Sequence, residues 1–258
     1  MPHRVAAPAT SNVPESVRET CIAGSLRAML ENSAILPLIT ALVAAALAAR
    51  MAGSAARAFS PAKPLWALGL LLFAAASAAS AYGIADGWGP ISFRIYYLTG
   101  ACLCVAILGA GSAFLALPRT IALIVFGMAL TAAVGATVTV LIAPVDLGLI
   151  ESVSGLKAPP NNAIAGHAAI WAIAMNSVGT VLLIAGALVS IVRRRRVGPN
   201  VALLAGVIVI ALAGTLTRLG GAEALYVGQM IGLIVLGAGM EWSNRAGYTA
   251  RNSSTVAV

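Results

Sequence analysis

The sequence predicts an all-α fold, a polytopic transmembrane helix bundle with seven spans. Hydrophobic residues make up 60% of the 258-residue chain and charged residues 9%, and the mean hydropathy is +0.96. A water-soluble domain of this composition has too few polar residues to cover its surface. Apolar windows of roughly 17–25 residues match the hydrocarbon thickness of a bilayer. Seven such windows occur, at residues 33–49, 65–85, 95–117, 120–143, 168–192, 201–217 and 222–240.

Each window is long and rich in Ala and Leu, which favours a helix over a barrel strand because a lone helix satisfies its own backbone in lipid. The first window contains Pro37 and ends at Arg50, and the last ends where polar residues begin. We therefore expect a transmembrane domain at 33–242 and a disordered cytoplasmic tail at 243–258.

Residues 1–32 are predicted to form an N-terminal tail with a short helix in the membrane interface. Ser16 to Glu19 has the form of a capping box, and apolar residues then recur on one helical face. A partly ordered lead-in is the alternative. The first apolar run begins beyond residue 30 and is too long for a signal-peptide core, so we expect no cleaved leader.

Lys and Arg predict the orientation, because cytoplasmic loops carry an excess of them. With the N-terminus outside, most basic residues that follow the first span fall on the cytoplasmic side, including the run Arg193 to Arg196. Only Arg94, Lys157 and Arg218 fall in the outer segments between spans. Abundant Ala, Gly and Arg are typical of GC-rich bacterial coding. We therefore predict a bacterial plasma-membrane protein with N-out, C-in topology.

The spans also show a pattern that fits three tandem hairpins plus a seventh helix. The second helix of each hairpin opens near Pro64, Pro118 or Pro199. Small residues follow at a spacing of about eight, which keeps them on nearly one helical face. Parallel repeats of this kind occur in transporters. Chance similarity between Ala- and Gly-rich helices is the alternative that stays open. The small residues are Gly69 with Ser77, Gly127 with Gly135, and Gly206 with Gly214.

Several single residues are predicted to serve helix packing. Gly228 and Gly232 form a GxxxG pattern that we expect to pack against a sister helix, with a dimer seam as the alternative. Asn176 is deep enough in its span to act as interhelical glue, as is Gln229. Cys102 and Cys104 point to different faces of one helix, so we expect them to be reduced packing residues.

Polar and acidic residues collect at the predicted outer ends of the spans, which indicates that a ligand is met from outside. Arginines at span ends favour a partner such as Glu223, because an unpaired charge at that depth is costly. Interfacial anchoring at the headgroup level explains the same residues without a ligand. The candidate ligand-binding residues are Arg94, Tyr97, His167, Arg218, Glu223 and Tyr226.

The longest loop between spans, at 144–166, carries Asp146, Glu151, Lys157 and two adjacent prolines. Length and prolines suit a lid over an outer cavity, and they suit a passive connector equally well.

Catalytic and cofactor signatures are missing from the sequence. No acidic pair suits magnesium diphosphate, and no H-E-x-x-H or serine nucleophile with a nearby base is found. We therefore predict no catalytic residues, no metal and no cofactor. Seven-helix photoreceptors share the helix count and topology, but they need a lysine in the last span. Lysine occurs here only as Lys63 and Lys157, both in loops, so that resemblance is rejected.

One stretch resembles a known group of proteins. The segment 93–117, which includes Arg94, Tyr96, Tyr97 and Gly100 in the string RIYYLTG, is similar to a pattern in uncharacterised bacterial integral membrane proteins with seven helices. The resemblance covers one helix and implies a membrane fold, with no activity attached.

Three function classes fit these observations. The leading expectation is a multi-pass protein that binds or transports a small molecule or lipid through an outer-facing polar pocket. The second is a sensory or scaffolding module that acts through a membrane partner protein or as a homo-oligomer. The third is a membrane-embedded enzyme on isoprenoid or lipid substrates, with scattered carboxylates as acids. The formal charge of +8 needs no nucleic acid, because anionic lipid accounts for it.

Overall fold

A computed structural model describes residues 34–57, 59–153, 157–193, 197–218 and 222–255 of the chain. It describes their side chains except at 161, 214–218, 222–224, 240 and 243–255. The predicted interfacial helix at 1–32 lies outside these residues. Within them the chain is helical and contains no strand beyond one isolated bridge between Val145 and Ile164. The all-α prediction is therefore confirmed.

Seven long α-helices and one short α-helix occur among the described residues, with a 3₁₀ turn at Asn161–Ala163. They are α1 (Ile35–Arg57), α2 (Ala62–Asp86), α3 (Pro90–Ala116), α4 (Arg119–Ile142), the short α5 (Leu147–Glu151), α6 (His167–Val192), α7 (Val197–Arg218) and α8 (Ala222–Thr255). Of these, α1, α2, α3, α4 and α6 are long and apolar enough to cross a membrane. In α7 and α8 the apolar stretches are shorter, Val197–Ala213 and Leu225–Gly239.

The helices extend beyond several of the apolar windows. Helix α1 continues past Arg50 to Arg57, and α3 begins at Pro90, five residues before its window. Helix α8 continues to Thr255, past the residue 243 at which the sequence predicted a disordered tail. Apolar composition marks the part of a helix that suits lipid, whereas backbone hydrogen bonds continue into the polar region. At the other end of α2, Gly87 has a φ of 91°, which stops the helix at Asp86.

Helix α3 contains a π-helical segment, Tyr97–Cys104. A π turn shifts the backbone hydrogen bonds from i+4 to i+5 and disturbs the ladder of carbonyl acceptors. The side-chain amide of Asn176 in α6 donates to the carbonyl oxygen of Ala101 in this segment, at 2.8 Å. The predicted role of Asn176 as interhelical glue is thereby confirmed.

Six of the long helices are neighbours in a closed order: α1 lies beside α2, α2 beside α3, α3 beside α6, α6 beside α7, α7 beside α8, and α8 returns to α1. Helix α4 lies outside this ring against α3 and α6. The three predicted hairpins are therefore unequal in their packing: α1 packs extensively on α2, whereas α3 packs more extensively on α6 than on α4. We call the end of the bundle that carries residues 144–153 and 157–166 the loop end, and the opposite end, with Arg57, Arg119 and Arg193, the arginine end.

Glycines set the closest helix contacts. A Cβ on Gly109 of α3 would meet the backbone oxygen of Gly179 of α6 at 2.6 Å, and a Cβ on Gly206 of α7 would meet that of Gly232 of α8 at 2.7 Å. Gly228 likewise faces Ala213 of α7. The GxxxG face thus packs against a sister helix, as predicted.

Two buried clusters stabilise the bundle. One fills the ring beneath the arginine end and is built around five leucines that come from α2, α3, α6 and α8: Leu70, Leu108, Leu183, Leu233 and Leu236. The other lies where α3, α4 and α6 meet at the loop end, and it contains Phe93, Tyr97 and Val140. Cys102 belongs to the second cluster and Cys104 to the first, and both are free thiols. Their prediction as reduced packing residues is confirmed.

The described parts of the loop at 144–166 are anchored to the bundle. Ile150 is fully buried and Ile164 is 2% exposed, both in the cluster at the loop end. The carboxylate of Asp146 accepts from the backbone N–H of Leu149 at 3.1 Å and so caps α5. Of the two roles that the sequence left open, this anchoring favours a packed connector over a mobile lid.

Candidate functional site

Four residues at the loop end form a cluster of hydroxyl and aromatic groups. Ser80 comes from the last turns of α2, Trp88 from the α2–α3 connection, Tyr96 from the start of α3 and Tyr226 from the start of α8. We call these four residues the Tyr226 cluster. Helix ends place them together because α2 ends where α3 and α8 begin, at the same end of the bundle.

Tyr226 is the largest fully buried member of the cluster. Its side chain is 1% exposed, and its phenol lies beside Ser80, itself 1% exposed, and beside Tyr96. The hydroxyl of Tyr226 makes no hydrogen bond of ordinary geometry within the described residues. A buried polar group in this state costs about 1–3 kcal/mol relative to a satisfied one.

Trp88 is a second buried member of the cluster, and it packs against Tyr96. The two rings meet edge to face, with centroids 5.4 Å apart and planes at 68°. The indole covers Gly83, where an added Cβ would lie 2.5 Å from Cδ2 of Trp88. Although Trp88 is only 5% exposed, its Nε1–H has no acceptor in the described part of the chain. The cluster therefore holds two buried donors without partners, from two different elements.

Arg94, the first predicted binding residue, contacts protein carbonyls. Its guanidinium donates to the carbonyl oxygens of Val140, Leu141 and Ala143, the last two at 2.7 and 2.8 Å. These carbonyls end α4, where the last turn lacks helical partners and Pro144 supplies no N–H. The positive charge at this helix end also complements the helix dipole. In this structure Arg94 is a C-terminal cap.

The other predicted residues are spread over the loop end. Tyr97 is 1% exposed and packs against Phe93 in the cluster of α3, α4 and α6, to which Trp88 also belongs. His167 is exposed at the first position of α6. The side chains of Arg218 and Glu223 lie outside the described residues, so their predicted pairing stays a prediction. Of the six predicted residues, Tyr226 is the one placed in the Tyr226 cluster.

A second feature lies at the arginine end, where a narrow groove opens among α2, α3, α6, α7 and α8. Its empty volume is about 490 Å³, part of it open to the surroundings. The wall is apolar apart from Trp66, Ser112 and Asn200. Trp66 is 7% exposed, and its Nε1–H also lacks an acceptor among the described residues. We call this feature the Trp66 groove.

No sequence pattern distinguishes Ser80, Trp88 or Trp66 from other residues of the spans. Tryptophans near span ends are ordinary membrane-interface anchors, and a serine in a span is ordinary helix packing. Their unsatisfied polar hydrogens result from which helices become neighbours. Trp171 shows the contrast, because its indole N–H donates to Thr139 Oγ1 at 3.1 Å.

The chemistry of both features is that of neutral hydrogen-bond donors in apolar surroundings. No group of three or more metal-ligating side chains occurs among the described residues. Hydroxyl and indole donors recognise acceptors such as carbonyl or ether oxygens, and an apolar wall with a few polar groups is the usual form of a small-molecule site.

Comparison of the chain with protein-family models, with curated proteins and with solved structures gives no match.

Proposed function

We propose that this chain is a seven-span protein of a bacterial plasma membrane, with its N-terminus outside and its C-terminus in the cytoplasm. Helix α7 has 22 residues and α8 has 34. At 1.5 Å per residue even α7 reaches about 33 Å, enough for a hydrocarbon core of about 30 Å. The arginine end carries Arg57, Lys63, Arg119 and Arg193, which supports its cytoplasmic placement. The loop end then faces outward.

We further propose that the protein binds a small amphipathic molecule or lipid at the Tyr226 cluster. The observation that carries this proposal is the pair of buried, unpartnered donors, Trp88 Nε1–H and the Tyr226 hydroxyl. A ligand with a carbonyl or similar acceptor satisfies such donors, after a small shift of the side chains that cover them. The ligand's apolar part then packs on the aromatic rings of the cluster.

Binding is better supported than an open channel. The five leucines of the ring cluster are buried inside the bundle, and three of them, Leu108, Leu183 and Leu236, also line the Trp66 groove. A packed apolar layer of this kind blocks the passage of polar solutes, so movement of a ligand across the bundle requires helices to move. A ligand therefore reaches the proposed site from the outer side, once the side chains that cover the buried donors shift.

The proposal is tested with protein purified in mild detergent, by native mass spectrometry and an absorption spectrum. We expect a co-purified molecule with the wild-type chain. Tyr226→Phe removes one donor and keeps the ring, so we expect retention to fall by about 5- to 150-fold, since a lost hydrogen bond is worth about 1–3 kcal/mol. Trp88→Phe should act in the same direction.

Tyr82→Phe is the matched control, because Tyr82 lies on α2 near the same end with 57% of its side chain exposed. It should leave retention unchanged. The proposal fails if no molecule co-purifies with the wild type. It also fails if Tyr226→Phe retains the same molecule equally well.

A further inference from the structure

The Trp66 groove is independent of the Tyr226 cluster and lies at the other end of the bundle. Side chains from five helices line it, among them Trp66, Ser112, Leu183, Ala187, Leu204 and Leu236. The empty space of about 490 Å³ between these side chains includes space open to the surroundings, so the feature is a surface groove and not a closed ligand cavity. A linear apolar chain can lie along such a groove from the lipid side.

The indole N–H of Trp66 is the polar group that could hold a hydrocarbon chain in the groove. The indole of Trp66 is 7% exposed, and its Nε1–H has no acceptor within the described residues. It lies against Gly111 of α3, where an added Cβ would be 2.7 Å from Nε1. An acceptor on a guest in the groove satisfies this donor once the indole shifts slightly from Gly111. An acyl ester carbonyl at the head of a hydrocarbon chain is such an acceptor.

The charged residues at the arginine end indicate which lipid headgroup would accompany a hydrocarbon chain bound in the groove. Leu115 lines the groove with 52% exposure, and Arg119 begins α4 after the short connection that follows α3. Arg193 ends α6, less than two turns beyond Ala187 of the groove. Glu241 is the acidic residue described at this end, and it is paired with Arg50 at 2.9 Å. The rim of the groove is therefore positive and complements an anionic headgroup.

We propose that the Trp66 groove binds an anionic glycerophospholipid from the adjacent leaflet. One acyl chain occupies the groove, Trp66 donates to its ester carbonyl, and the phosphate lies beside Arg119 and Arg193. The arginine end thus binds one lipid of a defined class, in addition to its general electrostatic attraction to anionic lipids.

The test uses the full chain in detergent, stripped of lipid and titrated with phosphatidylglycerol or phosphatidylcholine of identical acyl chains, with bound lipid counted by native mass spectrometry. We expect one phosphatidylglycerol to bind at least tenfold more tightly than phosphatidylcholine. Ala187→Phe fills the groove and should weaken that binding at least tenfold. Leu188→Phe is the matched control, because Leu188 is the next residue and is 47% exposed; it should bind as the wild type does.

A second measurement does not depend on a variant that fills the groove. Brominated acyl chains quench tryptophan fluorescence on contact, so phosphatidylglycerol with such chains should quench the wild type more than Trp66→Phe. Replacing Arg119 and Arg193 together with Gln should remove the preference for phosphatidylglycerol and keep chain binding. Equal quenching in wild type and Trp66→Phe overturns the proposal, as does equal affinity for the two lipids in the wild type. Neither result bears on Tyr226, so the two sites are tested separately.

Discussion

At the scale of single residues, Arg94 shows how a charge near the membrane becomes part of the fold. Helix α4 lies outside the ring, so it depends on few contacts. Arg94 holds its final carbonyls, and Trp171 of α6 donates to Thr139 on the same helix. The two contacts fix the loop-end half of α4 to its neighbours.

Replacing Arg94 should therefore destabilise the protein. Arg94→Gln removes the bonds to the end of α4, and we expect the free energy of unfolding in detergent to fall by about 2–4 kcal/mol, given the strength of charged hydrogen bonds. Arg94→Lys should lie between Gln and the wild type, because one ammonium cannot reproduce the spread of a guanidinium. Thermal unfolding of the purified variants measures the change.

Arg119→Gln is the control for loss of a positive charge. Arg119 is exposed, and we expect its replacement to change stability by less than about 0.5 kcal/mol. Equal stability of Arg94→Gln and Arg119→Gln would show that the cap on α4 is energetically unimportant.

The sequence singled out Arg94 for the right physical reason and left its partner open. An arginine at the head of a span needs a counterpart, and Glu223 was the predicted one. Backbone carbonyls are an equally good counterpart, but a sequence does not show which helix end lies nearby. The same limit applies to Trp66 and Trp88, whose missing partners depend on tertiary packing.

At the scale of helices, close approach between glycines holds the ring together. Gly206 and Gly232 bring the backbones of α7 and α8 into contact, and a Cβ on either would lie 2.7 Å from the other's carbonyl oxygen. Gly127 on α4 offers the comparison, because a Cβ there meets nothing within 4 Å. It therefore differs from the small residues with which the sequence pattern groups it.

These glycines should respond in opposite directions to alanine. Gly232→Ala forces α7 and α8 apart, and we expect it to lower the unfolding temperature by an amount equivalent to at least about 1–3 kcal/mol, the usual cost of overpacking. Gly127→Ala should leave stability unchanged or raise it by up to about 1 kcal/mol, since Ala favours helix. If both variants lose stability equally, helix propensity rather than close packing explains the glycines.

The apolar windows of the sequence predicted which segments form helices, but they did not predict where each helix begins and ends. The windows for α2, α4 and α6 agree with the observed helices to within a few residues. For α1 and α8 the backbone remains helical through charged residues, and hydropathy does not register that. The π segment of α3 carries no hydropathy signal at all, because it changes the hydrogen-bond register and not the composition.

At the scale of the whole molecule, the membrane topology decides which side the loop end and the arginine end face. Accessibility labelling tests it in a Cys21→Ser background, where the remaining native thiols, Cys102 and Cys104, are buried. Leu147→Cys lies at the loop end with 49% exposure, and Val197→Cys at the arginine end with 40%. We expect a membrane-impermeant maleimide to label the first variant in intact cells and the second only after permeabilisation.

Labelling of both positions from one side would contradict an odd number of crossings between them. Labelling in the reverse order would invert the orientation, and the Tyr226 cluster would then face the cytoplasm.

The neighbour order of the helices was beyond sequence reasoning. Hairpin connectivity suggests that α3 pairs with α4, yet Gly109 and Gly179 allow α3 to pack on α6 instead. This choice leaves α4 outside the ring. Acidic residues at the outer span ends led to the prediction of a ligand site on the outer side. No sequence pattern marks Trp66 at the arginine end, because its missing hydrogen-bond partner depends on tertiary packing.

The π segment of α3 changes how that span must be compared with others. A π turn holds about one residue more than an α turn, so the residues before Tyr97 are rotated relative to those after Cys104 when counted at an ordinary helical period. A helical wheel drawn at one period from Pro90 to Ala116 assigns one half of the span to the wrong face. Alignment with a regular helix therefore requires a gap within residues 97–104.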